Sequence, residues 1–151
     1  MNAGRALGAG ATATAVMTAL WLVEPSIGLP RIAVGHMLST AMSVSVAHWG
    51  PGAAGGWIVH LLVGMGLALV YAWAFAGRLH ARPLVSGAIY GIAVFLLSEL
   101  VFMPLVGAGL FARGDFELLA GSLLGNVVYG LVLGWIYGPP LPTALPAKRA
   151  G

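Results

Sequence analysis

Four long apolar stretches dominate the chain, and each is bounded by proline, glycine or charge. They run from about Ala6 to Ile27, Gly56 to Phe75, Leu84 to Val106 and Leu118 to Tyr137. A membrane-spanning helix needs about 20 mostly apolar residues, so each stretch predicts one span. Glu24, Pro25, Gly28 and Pro30 end the first. Arg78, His80, Arg82 and Pro83 form a polar turn after the second. Arg113, Asp115 and Glu117 separate the third from the fourth, and Pro139-Pro140 stops the fourth. The predicted fold is all-α: a polytopic membrane helical bundle of four transmembrane helices in residues 1–139, with a Pro-rich polar tail at 140–151.

The segment Ile32 to Trp49 has a different pattern. Read as a helix, it puts His36, Ser39, Thr40 and Ser43 on one stripe, with Val34, Met37, Leu38, Ala41 and Met42 largely off it. Its length reaches only about 27 Å, marginal for a span, and an amphipathic segment of this kind is interfacial, re-entrant or packed within a bundle. An internal repeat favours a connection. Pro25-Ser-Ile-Gly28 matches Pro104-Leu-Val-Gly107, and the same offset pairs Gly8 with Gly87. His60, Gly64, Ala68 and Tyr71 match Asn126, Gly130, Gly134 and Tyr137. The chain reads as two tandem hairpins, the first with the longer, amphipathic connection.

Composition agrees. Charged residues are 7% of the 151 and apolar residues 60%, with mean hydropathy +0.96. A soluble domain carries about 25% charged residues, so lipid is the expected solvent and the bilayer the first partner. Cysteine is absent, which excludes disulfides and thiolate chemistry. The seven Lys and Arg are scattered, with no basic patch interleaved with aromatics, so nucleic acid is not an expected partner. In the four-span reading Arg5, Arg78, Arg82, Lys148 and Arg149 share one side, against Arg31 and Arg113. The positive-inside rule then places both termini in the cytoplasm. The Ala- and Gly-rich run after Arg5 meets Glu24-Pro25 rather than a small-residue cleavage site, which reads as a retained helix and not a secretory signal.

Against this background a few polar residues are out of place. Glu24, His60, Glu99 and Asn126 fall in the outer half of the four spans, and His36 and His48 lie in the connection on that side. Ionisable residues within spans are costly and mark ligand, proton or ion sites by default. They also serve as interhelical hydrogen-bonding groups, and the pairing of His60 with Asn126 suits that role. No HExxH and no i, i+4 histidine pair is present, so a metal is not specified and no cofactor is clearly implied. Gly87, Gly91, Gly130, Gly134 and Gly138 form small-xxx-small ladders that predict close helix contact, with part of the last span's stripe left facing outward. Asp115 and Glu117 read as a solvated cluster at a helix start.

The Gly/Ala-rich first helix with Ala15-Val-Met-Thr18, the stretch Trp57 to Trp73, Ser86 to Gly91, and the last helix Gly125-Asn-Val-Val-Tyr-Gly130 form a pattern. It resembles a family of small bacterial four-helix integral membrane proteins of unknown function. The resemblance implies a histidine where this chain has Asn126, and it implies no activity or cofactor. No acid, base and nucleophile set is recognisable, so an enzyme is not expected. The leading expectation is a non-catalytic accessory or assembly subunit of a larger membrane complex, a respiratory one among the candidates. It would pair with other subunits or with itself. The alternative is a small transporter or proton/metal-handling protein that uses the intramembrane Glu and His residues.

Overall fold

A computed structural model describes residues 2–28, 32, 52–76 and 82–138. Apart from Ile32, the amphipathic connection with His36 and His48 lies outside the described residues, as does the tail at 140–151. Among the described residues four long helices form the bundle: α1 (Ala3–Val23), α2 (Gly52–Val70), α3 (Pro83–Leu97) and α4 (Phe116–Tyr137). A 3-10 turn, Glu24–Ile27, extends α1. A π-turn, Tyr71–Phe75, extends α2. A π-turn, Ser98–Phe102, and a short α-helical piece, Met103–Leu105, extend α3. So extended, Ala3–Ile27, Gly55–Phe75, Pro83–Leu105 and Phe116–Tyr137 are long and apolar enough to cross a membrane.

Local chemistry starts and stops these helices. The Asn2 side chain accepts from the Arg5 N–H at 3.0 Å and the Asp115 side chain from the Leu118 N–H at 3.0 Å, each satisfying one of a helix's free first donors. Pro83 opens α3, where its missing N–H costs nothing. Pro25 and Pro104 each precede a glycine in the left-handed region: Gly28 at φ +86° and Gly107 at φ +80°. The Gly28 N–H returns to the Pro25 carbonyl at 3.4 Å and the Gly107 N–H to the Pro104 carbonyl at 3.0 Å.

Successive helices run antiparallel. At one end the Arg5 guanidinium donates to the carbonyls of Ile136 (2.9 Å) and Gly138 (3.0 Å) and lies 5.7 Å from the Tyr137 ring centroid. At the other end Trp21 Nε1 donates to the Gly121 carbonyl at 3.3 Å, and Trp21 lies 5.4 Å from His60 by ring centroids. Residues 2 and 138 therefore share one end, called here the terminal end. Arg5 also serves as a cap: it satisfies carbonyls that α4 leaves free at its last turn.

Glycine sets the helix spacing. A methyl group added at Gly87 would overlap the Gly130 carbonyl. One at Gly91 would overlap the Asn126 carbonyl, one at Gly134 the Pro83 carbonyl, and one at Gly138 the Pro83 ring. All five glycines expected to pack helices thus lie in the α3–α4 contact, and Gly130, Gly134 and Gly138 are buried. The outward-facing remainder expected on the last span is not found, because α3 covers the whole stripe. Nor does packing preserve the Gly8–Gly87 pairing: nothing lies within 4 Å of a methyl group at Gly8, whereas Gly10 and Gly64 make the close approach between α1 and α2. The outer faces carry Leu22, Ile58, Leu62, Leu105, Phe116 and Trp135, all exposed, as lipid-facing helices do.

Gly87→Ala should destabilise the bundle by about 1–3 kcal/mol or more, because backbone cannot yield to an added methyl. Gly8→Ala should be neutral or stabilising through its helix propensity. Unfolding midpoints of the two variants in mixed detergent micelles check this contrast; equal midpoints would refute the packing account.

Candidate functional site

Glu24 sits where α1 tightens into its 3-10 turn, and it is fully buried. Room for it comes from α4: a side chain at Gly121 would come within 2.8 Å of Glu24 Oε2. Ile32, 5% exposed, packs against the same glycine. Trp21, three residues earlier on the same face, lies across Gly125. Two glycines one turn apart on α4 therefore seat an indole and a carboxyl from α1. Among the described residues neither carboxyl oxygen of Glu24 has a hydrogen-bond partner.

Glu99 sits in the π-turn of α3. Pro104, shortly downstream, cannot donate back into the helix and would clash with a regular preceding turn; a widened turn is one way a helix absorbs such a residue, and such turns gather at functional sites. Glu99 is fully buried. Its Oε1 accepts from Ser122 Oγ at 2.7 Å, and its Oε2 has no partner among the described residues.

His60, 9% exposed, lies between the rings of Trp21 and Trp57, 5.4 and 5.9 Å away by centroids. Its Nε2 is buried without a partner among the described residues. Asn126 does not supply one. The Asn126 amide donates to the Ser122 carbonyl of its own helix at 2.8 Å.

His60, Ser122 and Asn126 line a cavity of about 120 Å³, bounded on the α1 side by Met17 and Trp21. Glu99 reaches this wall through Ser122, and Glu24 sits behind the neighbouring Gly121. Toward the terminal end the interior is filled. Tyr129 donates to the Gly64 carbonyl and Tyr90 to the Leu67 carbonyl, both at 2.6 Å. The Tyr71 hydroxyl bonds Ser86 at 3.3 Å, and Phe75 and Tyr90 meet edge to face at 4.8 Å. The four predicted residues thus surround one region, and an aromatic layer closes it on one side. Among the described residues no group of three His, Cys, Asp or Glu side chains comes together as a metal site; His36 and His48 are outside them.

The chain belongs to a family of unknown function, DUF6789. The family's profile matches residues 1–141, nearly the whole chain and all four helices. No curated protein matches the chain, and no solved structure does.

Sequence reasoning did not single out Ser122 or Trp21 in this DUF6789 chain. Both carried a signal. Ser122 is one turn before Asn126 in an otherwise apolar helix, and Trp21 is one turn before Glu24, so each shares a face with a residue already marked.

Glu24→Met should raise stability by about 1–3 kcal/mol, the cost of a buried polar group left unsatisfied. Thermal unfolding in a mild detergent measures it. A lower midpoint for the variant would show that the carboxyl holds the bundle together.

Proposed function

We propose that this chain is a small multi-pass protein of the bacterial inner membrane, with both termini in the cytoplasm. In this reading it takes up a small ligand or a proton among Glu24, His60, Glu99 and Asn126 and performs no covalent chemistry. One observation carries this. Among the described residues four buried polar atoms, both Glu24 oxygens, Glu99 Oε2 and His60 Nε2, have no hydrogen-bond partner; His60 lines the cavity, Glu99 bonds its lining residue Ser122, and Glu24 lies against the neighbouring Gly121. Polar groups that only hold helices together bond across the contact. Keeping several unsatisfied ones costs stability, and such costs persist where function needs them. The orientation follows from Arg5 and Arg82 at the terminal end, with Arg113 at the other.

Native mass spectrometry of protein released from mild detergent, paired with proton uptake after an acid step, tests the reading. Wild type should carry a bound small molecule or take up a proton that Glu99→Gln and His60→Leu lose, with unfolding midpoints unchanged or higher. Variants that unfold several degrees earlier, with neither property changed, would return the cluster to a structural role.

The accessory-subunit reading has its own support, on a different helix from the one expected. The outer face of α1 is built from small residues: Gly4, Gly8, Thr12, Ala15 and Ala19 are all exposed. Such faces let helices approach closely in lipid, and α1 is the least apolar of the four spans, at hydropathy 1.6. Gly8→Leu with Ala15→Leu should leave the bundle intact and abolish co-purification of a partner or second copy. A partner retained by the double variant would dismiss this face.

A further inference from the structure

We infer that the cavity receives, from the side, the ring headgroup of a tailed amphiphile: a quinone- or phenol-type ring bearing oxygens, its tail remaining in lipid between α2 and α3. This deepens the ligand reading above and rests on it. The exposure of the lining shows the route. The walls from α1 and α4, including Met17, Trp21, Ser122 and Asn126, are buried. The partly exposed lining residues come from α2 (Val63, Leu67) and from α3 and its extension (Ser98, Phe102). Among the described residues the mouth therefore lies along the α2–α3 seam. The ties across that seam among the described residues, Tyr90 to the Leu67 carbonyl and Tyr71 to Ser86, lie on its terminal-end side.

The mouth faces lipid. Ile58 and Leu62 on one flank, and Val101 and Leu105 on the other, are exposed, on the two spans of highest hydropathy, 2.0 each. A ligand arriving by this route is already dissolved in the membrane, which requires an apolar tail. Size restricts the part that enters. At about 120 Å³ the cavity is somewhat smaller than the ~150 Å³ engineered cavity that holds benzene. That scale suits one six-membered ring better than a fused-ring system.

Polarity selects the ring's substituents. His60 is nine-tenths buried and its Nε2 is unpartnered among the described residues; a neutral imidazole nitrogen there donates or accepts one hydrogen bond. Ser122 and Asn126 stand on the facing helix, and Glu99 stands behind Ser122. A ring oxygen would meet this set, whereas an acyl chain in the same place would leave it unpaired. Trp21, Phe102 and Tyr129 with Met17 and Met103 supply aromatic and thioether walls, which favour a flat π-system.

The probe is a benzoquinone with a decyl tail, titrated into the full chain in a mild detergent. Quinones quench indole emission, and Trp21 lines the cavity. Saturable quenching that Trp21→Phe removes is expected. His60→Leu should weaken the apparent Kd at least about fivefold, the scale of one lost hydrogen bond. Should that variant misfold, Val63→Phe, which narrows the mouth and spares every polar group, should weaken it similarly. Non-saturating quenching unchanged in Trp21→Phe would overturn the inference. So would equal displacement by n-decane, which would make the cavity an acyl-chain slot. Absence of quinone binding, with ligand or proton content that still depends on Glu99 and His60, would overturn the ring assignment and leave the broader reading standing; loss of both would remove both.

Discussion

Backbone-to-backbone approach between α3 and α4 determines the remaining geometry. In lipid, apolar side chains gain little by leaving the solvent, so helices associate where surfaces fit closely enough for dispersion contacts to accumulate. Gly87 and Gly91 meet Gly130, Gly134 and the Asn126 carbonyl with no space for a methyl group. This contact fixes α4 against α3 along its length and turns another glycine face of α4, Gly121 and Gly125, toward α1. Once α4 is held on both sides, α2 has one close neighbour, α1, and meets α3 mainly through aromatic residues near one end. The cavity follows from this asymmetry.

The same asymmetry explains how two carboxyls and an imidazole reside inside an apolar bundle. Each carboxyl has a glycine, a serine or a widened turn beside it, Gly121 at Glu24, and Ser122 and its own π-turn at Glu99, while the imidazole lies beside Trp21 and Trp57. The accommodation is steric more than electrostatic, since most of the available oxygens and the imidazole Nε2 have no partner. Accommodating a polar group without satisfying it suits a site whose missing partner is exogenous.

The four long helices were legible because length and hydropathy mark a stretch apolar enough to cross a membrane, and the four stretches read from the chain agree with those helices to within a few residues. The position of Glu24, His60, Glu99 and Asn126 was legible from depth alone. Their partners were not. Whether Asn126 reaches across to His60 or back to Ser122 depends on a few ångströms of helix rotation that periodicity does not encode. The glycine ladders announced close contact without naming the face: Gly8 and Gly10 look alike in sequence, yet Gly10 packs on α2 and Gly8 meets nothing. The π-turn at Ser98–Phe102 was similarly hidden, because only Pro104 hinted at an irregular helix.

The capping of α4 by Arg5 has a consequence for biogenesis. The first helix leaves the ribosome with its intended neighbours at both ends still unmade: the carbonyls of Ile136 and Gly138 that receive Arg5, and the Gly121 carbonyl that receives Trp21. Until then α1 has only α2 for company, through Gly10 and Gly64. The bundle therefore closes only when α4 reaches α1, and Glu24 has no glycine seat until α4 has been made.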